Sequence, residues 1–311
     1  MPIEHASVRV VHKPWGVSDL RPWSSIDGTN DAVGELWFER ADKDAPSSAL
    51  LLKLLFTSQP LSIQVHPDDT FARAMGMPNG KSEAWYIVSA EPDAKIGIGL
   101  KHRVTPQELR ASIRNGSIVE LVQWRPVAQG DVIFIPAGTI HALGAGIVLA
   151  EIQQHSDATF RLFDYGRERE LHEDDGVAVA HAWPLRSASN PTRITPERTV
   201  LVASRHFVFE KLELPEGSSW ALLAERETWI LVLDGHAAIG LAAVSVGEAV
   251  FVSGGRASIE VGANGLSALV AYPASVPVAS LLQRLDEKST RCAARTAGIV
   301  PQLTGIAGAR T

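Results

Sequence analysis

Three short segments between Ser62 and His141 decide the fold of this sequence: Gln64-Val65-His66-Pro67, Lys81-Ser82-Glu83-Ala84-Trp85 and Gly130-Asp-Val-Ile-Phe-Ile-Pro136-Ala-Gly138-Thr-Ile-His141. Each segment places metal-ligating residue types in a strand-like run or beside a turn. Because alternate residues of a strand face the same side, Gln64 and His66 are expected to project together. With Glu83 and His141 from other strands, they would form one divalent-metal site on a β scaffold. Ordinary hydrogen-bonded histidines are the alternative.

The composition is that of a large, acidic globular chain. It has 311 residues and a net charge of −6, and this length allows two domains. Because it has no basic stripe, no nucleic-acid partner is expected. No apolar run approaches the length of a membrane span, and no signal peptide is evident, so no membrane partner is expected. The single cysteine, Cys292, favours a cytoplasmic location.

Short β-branched or apolar runs, bounded by glycine, proline and aspartate, predict many short strands and therefore a sandwich or barrel. The runs are 62–65, 85–88, 131–135, 146–153, 229–233 and 249–252. Few helices are predicted. The clearest begins at a capping box formed by Thr105 and Glu108, with Pro106 at the first helical position. Two others are predicted at 67–75 and 278–286.

A weak internal repeat divides the chain. Glu83-Ala-Trp85-Tyr-Ile-Val resembles Glu227-Thr-Trp229-Ile-Leu-Val, and 130–138 resembles 247–255. The interval between the two matching segments is longer in the first copy, and the capped helix accounts for most of the difference. The position that matches His141 is Ser258, so the second copy should lack the ligands. Chance similarity of short β segments is the alternative.

The spacing of Gly130, Pro136, Gly138 and His141 resembles a signature motif of the cupin β-barrels, which supplies one metal-ligating histidine in those proteins. We therefore expect a mostly β fold with two cupin-type β-barrel (jelly-roll) domains. The predicted boundaries are 1–185 for a metal-binding domain with a helical insertion at about 104–124, 200–287 for a degenerate domain without ligands, and 288–311 for a weakly ordered tail. The segment 181–199 is interpreted as a linker or an exposed crossing between the two halves.

The resemblance narrows to type I mannose-6-phosphate isomerases of the short bacterial branch. It covers about residues 10–170, and the segments that carry it are 62–67, 81–85, 136–142, Lys13-Pro-Trp-Gly16, Gly34-Glu-Leu-Trp37 and 151–161. The resemblance implies one Zn²⁺ per chain, held by Gln64, His66, Glu83 and His141. It also implies that Arg161 is catalytic and that Ser62 and Lys81 hold the substrate phosphate. A further basic phosphate contact of the longer members has no clear match.

The implied reaction interconverts mannose 6-phosphate and fructose 6-phosphate by moving a proton between C1 and C2 through an enediol. A metal and a fixed arginine would stabilise the developing negative charge. Glu151 and Asp157 are the acidic candidates for moving the proton, although either could instead be a structural partner. The alternatives are a metal-dependent cupin oxygenase and a non-catalytic cupin that binds sugar phosphates. The sequence does not determine the oligomeric state.

Overall fold

The structure, a computed structural model, describes residues 3–26, 31–185 and 190–285. Within these ranges the chain forms twenty-one strands and only four helices, which confirms the predicted mostly β fold. The predicted tail at 288–311 lies outside the described residues. No helix in the described ranges is long and apolar enough to cross a membrane.

The first half contains twelve strands and four helices within the described residues. They are β1 (Ile3–His5), β2 (Ser7–Val17), β3 (Val33–Glu39), β4 (Leu50–Thr57), β5 (Ile63–Val65), α1 (Asp69–Ala74), β6 (Glu83–Ala90), β7 (Lys95–Leu100), α2 (Pro106–Asn115), α3 (Ile118–Leu121), β8 (Val122–Pro126), β9 (Val132–Ile135), β10 (His141–Leu143), β11 (Ile147–Gln154), β12 (Phe160–Phe163) and α4 (Glu173–Val179).

The second half consists of strands alone in its described part. They are β13 (Thr192–Thr195), β14 (Arg198–Ala203), β15 (Val208–Leu214), β16 (Ser219–Ala224), β17 (Thr228–Ile239), β18 (Ala242–Ser245), β19 (Ala249–Val252), β20 (Gly255–Tyr272) and β21 (Leu282–Arg284). They form one sheet in the order β1-β19-β17-β20-β15-β14-β13, with β16 and β18 paired to β20 and β17, and β21 paired to β16. The pairing of the long strands β17 and β20 is interrupted by two register shifts.

Two antiparallel sheets make up the first half. One has the order β2-β3-β4-β11-β6-β9 and the other β12-β5-β10-β7-β8. Side chains from both sheets form a single buried apolar cluster, which includes Leu55 and Trp85 from the first sheet and Ile96 and Leu143 from the second. Because inward side chains alternate with outward ones, these strands can carry polar groups into the same interior.

The helices lie against the outer face of the five-stranded sheet. α2 begins at the predicted capping box, in which Thr105 accepts from the Glu108 N–H and the Glu108 carboxylate accepts from the Thr105 N–H. Leu109 and Ile113 of α2 join a second buried cluster with Ile63 and other residues of that sheet. The helix expected at 67–75 is also present as α1, with Asp68 as its N-cap.

One prediction about the second half was wrong. The segment predicted as a helix at 278–286 contains β21, which pairs with the edge of β16. That pairing gives the backbone hydrogen-bond partners in the sheet, and this tertiary context overrides helix propensity. The predicted linker at 181–199 contains β13 and the start of β14. All four residues of β13 are exposed, so this edge strand lacks the hydrophobic alternation that would have revealed it.

The two halves pack closely. A buried cluster joins Leu52 and Phe56 of β4 to Phe209 of β15 and Trp229 of β17. The N-terminal strand β1 pairs with β19 of the second half. The division at 185 and 200 into two domains stays a prediction.

Candidate metal centre and active site

Three strands bring the predicted ligands together. Gln64 on β5 lies opposite His141 on β10, and Glu83 begins β6 on the facing sheet. His66 Nε2 is 3.4 Å from Glu83 Oε2, and His141 Nε2 is 3.3 Å from Glu83 Oε1. Ligand atoms of the two histidines and the glutamate all lie within 4.8 Å of one another. The arrangement suits one small cation among these side chains.

Backbone carbonyls orient both imidazole rings. His66 Nδ1 lies 2.8 Å from Ala158 O, and His141 Nδ1 lies 2.9 Å from Thr139 O. A carbonyl can only accept, so each Nδ1 carries the proton and each Nε2 turns a lone pair toward Glu83. Burial lowers the pKa of both rings, that of His66 to about 3. Both rings are therefore neutral near pH 7, as metal ligands must be.

The centre contains buried polar atoms without partners. His66 Nε2 and both oxygens of Glu83 have no hydrogen-bond partner among the described residues. Burial alone would raise the pKa of Glu83, but the Lys81 ammonium and the two histidines hold it well below its usual range. Lys81 Nζ lies 3.2 Å from Glu83 Oε2. An ionised carboxylate and two imidazole lone pairs pointing at one buried spot fit a divalent metal.

Gln64 lies beside this cluster with its amide nitrogen toward His141 and its amide oxygen toward Ser62. Its Oε1 accepts from Ser62 Oγ at 3.1 Å, while its Nε2 lies 3.3 Å from His141 Nε2. Half a turn about the last side-chain torsion exchanges the amide oxygen and nitrogen. That rotation would direct Oε1 toward the cluster, so Gln64 is close enough to act as a fourth ligand.

A cavity of about 230 Å³ adjoins the cluster. It brings together every residue that the sequence proposed for catalysis or substrate binding, and it adds several that the sequence reasoning missed. The lining residues are Lys13, Trp15, Glu35, Lys53, Leu55, Leu61, Ser62, Gln64, Lys81, Glu151, Asp157, Thr159, Arg161, Arg169 and His172.

Glu151 lies in a buried charge network. Its Oε1 is 3.4 Å from Lys53 Nζ, and its Oε2 accepts from Trp85 Nε1 at 3.0 Å. Lys53 Nζ also lies 3.7 Å from Glu35 Oε2. Burial and the Glu83 carboxylate raise the pKa of Glu151 above its usual range, against the effect of Lys53. Lys53 was not proposed from the sequence, although its place as the lone lysine in the leucine-rich run of β4 is a signal that could have revealed it.

Arg161 on β12 lies opposite Gln64 on β5. One of its guanidinium nitrogens donates to Glu170 O at 2.7 Å. Burial and the neighbouring Arg169 guanidinium lower the pKa of Arg161 from its ordinary value. Asp164 holds Arg169 through two hydrogen bonds of 2.7 and 2.6 Å. The loop after β12 therefore adds a second arginine to the cavity, which no motif in the sequence indicated.

The fold and this site define a class: mostly β proteins with a candidate metal centre between two antiparallel sheets. No family model matches the chain. It is 36% identical to mannose-6-phosphate isomerase of Streptococcus mutans over 246 residues, which cover 65% of this chain and 76% of that protein. The chain belongs to the mannose-6-phosphate isomerase family of enzymes.

Solved structures agree on the fold. The mannose 6-phosphate isomerase of Bacillus subtilis superposes with a TM-score of 0.77 at 23% identity, over 88% of this chain and all of that one. A mannose 6-phosphate isomerase bound with zinc and yttrium superposes with a TM-score of 0.68 at 15% identity, over 87% of this chain and 99% of that one. At these identities the likeness concerns architecture alone.

Proposed function

We propose that this protein interconverts mannose 6-phosphate and fructose 6-phosphate, with one zinc ion per chain. The observation that carries the proposal is the buried cluster of His66, Glu83 and His141. Gln64 and Lys81, which contact this cluster, line a cavity that also contains basic and acidic side chains. The family relationship supplies the reaction class, because the S. mutans relative bears the name mannose-6-phosphate isomerase. A cytoplasmic location is part of the proposal.

Zinc would be held by His66, Glu83 and His141, with Gln64 completing the set after its amide turns. This set of two imidazoles, a carboxylate and an amide oxygen suits zinc. One zinc-containing structure of the same fold supports that choice of metal. When bound, the ion would supply Lewis-acid stabilisation of negative charge on the sugar oxygens at C1 and C2.

The charges of the cavity favour a phosphorylated sugar. Within the described residues, the cationic side chains that line the cavity are matched in number by carboxylates. These carboxylates either line the cavity or form an ion pair with one of its cations, and they balance the charge when ionised. The cations are Lys13, Lys53, Lys81, Arg161 and Arg169, and the carboxylates are Glu35, Glu83, Glu151, Asp157 and Asp164. A bound divalent ion would then give the site a net charge of about +2, which a phosphate dianion would neutralise. Ser62 and Lys81 would contact the phosphate.

The remaining side chains would manage the proton. Arg161 keeps its charge at any working pH and would stabilise the enediolate oxygen. Glu151 and Asp157 both line the cavity, and either could move the proton between C1 and C2. Lys53 and Trp85 hold Glu151 in place. Neither a base nor an arginine can act on a carbon acid without close contact, so Arg161 and the carboxylate that acts as the base would lie beside C1 and C2.

A coupled assay tests the proposal. Purified protein loaded with zinc is expected to convert mannose 6-phosphate, and to act far more weakly on free mannose, which lacks the phosphate. An oxygen electrode run in parallel should record no consumption of O₂. Saturable binding of mannose 6-phosphate without turnover, or oxygen uptake, would instead favour a binding protein or an oxygenase.

A further inference from the structure

His172 faces the cavity from a loop that the mechanism above does not use. The loop leaves β12, and His172 ends it immediately before α4. The ring of His172 lines the cavity and lies 6.0 Å, between centroids, from the ring of Phe160. Its backbone N–H donates to Arg161 O at 2.8 Å. His172 is therefore fixed directly beside Arg161.

The hydrogen bonding of His172 determines which ring nitrogen carries a proton. The backbone N–H of Arg161 donates to His172 Nδ1 at 3.1 Å. Nδ1 must then offer a lone pair, and the proton of the neutral ring belongs to Nε2. Nε2 makes no hydrogen bond to the described residues. The Nε2–H of His172 is thus a hydrogen-bond donor at the wall of the cavity with no acceptor among the described residues.

The neighbours of this donor call for an anion. Within the described ranges, Arg161 makes no ion pair with a carboxylate, and its guanidinium donates only to the carbonyl of Glu170. Arg169, although held by Asp164, is close enough to disfavour the charge on Arg161, whereas Asp164 and Glu170 favour it. An anion bound at Arg169 would offset the repulsion between the two guanidinium groups.

We propose that the Nε2–H of His172 donates a hydrogen bond to a phosphoryl oxygen of the substrate, on the side of the cavity that Arg169 lines. His172 is then a substrate-binding residue, and it takes part in the phosphate site together with Ser62 and Lys81. This inference rests on the proposed function for the identity of the substrate. The chemistry it needs is only a phosphate group, so inorganic phosphate serves as the probe.

Two near-isosteric variants separate the two ring nitrogens. In His172→Asn the amide oxygen can replace Nδ1 as acceptor for the Arg161 N–H, but no donor reaches the position of Nε2. In His172→Gln a donor reaches the position of Nε2, but the acceptor for Arg161 is lost. His236→Asn on the exposed part of β17 makes the same chemical change far from the cavity and serves as the control.

The affinity for inorganic phosphate, measured by calorimetry and as competitive inhibition, should fall about 10-fold in His172→Asn. His172→Gln should keep that affinity within about 2-fold and lose kcat instead, because Arg161 is displaced. Unchanged phosphate affinity in His172→Asn, or equal losses of affinity in both variants, would overturn the proposal.

Nuclear magnetic resonance of the wild type provides a measurement that needs no variant. In protein labelled with ¹⁵N-histidine, His172 should show the Nε2–H tautomer, and its Nε2 signal should shift when inorganic phosphate is added. An Nε2 signal that does not shift at saturating phosphate would overturn the inference. These phosphate measurements require no turnover, so a protein that binds phosphate through His172 but does not isomerise mannose 6-phosphate would contradict the proposed function alone.

Discussion

Protons on two imidazole rings decide whether the buried cluster can bind a metal. Ala158 O and Thr139 O each accept from the Nδ1–H of a ring, which leaves the Nε2 lone pairs of His66 and His141 directed at Glu83. Without these acceptors the rings could turn or change tautomer. The backbone around the centre therefore helps to prepare the ligands for a cation.

The stability of the metal-free protein should fall with acid because of these two rings. Their folded pKa values lie below the usual value, that of His66 at about 3, whereas the unfolded chain takes up protons near pH 6.5. Below that pH the unfolded state binds more protons, so stability present above pH 6.5 is lost as the pH falls toward the folded pKa. Urea unfolding should show a slope of up to about 1.4 kcal/mol per pH unit for each ring. In His66→Asn the slope should be shallower, and an unchanged slope would contradict this account.

Replacement of Arg161 by alanine should lower the rate of turnover with little effect on metal binding or stability. Its guanidinium donates to the carbonyl of Glu170, and Arg161 lines the same cavity as Gln64, where it would stabilise the charge of the enediolate. We expect kcat to fall at least about 100-fold, with the bound zinc and the melting temperature nearly unchanged. Arg161→Lys should recover only part of the loss, since it lacks the fixed fork. Normal turnover in Arg161→Ala would remove this residue from the mechanism.

The two candidate bases can be distinguished by isotope exchange. Glu151→Gln and Asp157→Asn keep size and polarity but cannot accept a proton. In D₂O, the variant that lacks the base should lose both turnover and deuterium uptake into substrate, while the other should retain measurable exchange. Exchange at the wild-type rate in both variants would exclude both carboxylates as the base.

At the scale of secondary-structure elements, the turn before β10 connects neighbouring elements of the site through hydrogen bonds. The N–H of Gly138 donates to His66 O at 2.8 Å, and Gly138 O accepts from the N–H of His181 at 2.7 Å. Gly138 has a φ of +85°, a conformation that glycine adopts without strain. The turn thus links the ends of β5 and α4 to the strand that begins with His141.

Alanine at Gly138 should disturb the metal centre, and Gly130 supplies a matched control. Both glycines have positive φ, at +85° and +90°. A Cβ on Gly138 would lie 2.8 Å from the ring of His181, whereas one on Gly130 would meet nothing within 4 Å. We expect Gly130→Ala to cost about 1–2 kcal/mol of folding free energy. Gly138→Ala should cost more and should also weaken zinc binding, measured by competition with a chelating dye. Equal effects of the two substitutions would show that the clash is unimportant.

The elements also show what sequence can and cannot predict. His66, Glu83 and His141 could be proposed because short motifs place them next to strands and turns, and α2 because its capping box is local. Arg169 and His172 could not, because the loop that positions them depends on Asp164 and on the backbone of Arg161. β21 was mistaken for a helix because its pairing partner, β16, is distant in the sequence.

At the scale of the whole molecule, the second half supports the first through residues of the repeat. Glu227 occupies the position that matches Glu83, and its carboxylate accepts from the N–H groups of Ala49 and Leu50 at 2.7 and 3.1 Å. These residues lead into β4, the strand that carries Lys53. A position that matches a proposed ligand in one copy therefore holds the two halves together in the other.

Zinc titration of protein stripped with a chelator tests the central claim most directly, namely that one cation bound by Gln64, His66, Glu83 and His141 makes this chain an isomerase. Turnover of mannose 6-phosphate should be absent in the stripped protein, rise linearly with added zinc and reach its plateau at one equivalent per chain. In His141→Ala the plateau should not be reached at one equivalent. Full turnover in protein shown by elemental analysis to contain no metal would contradict the account.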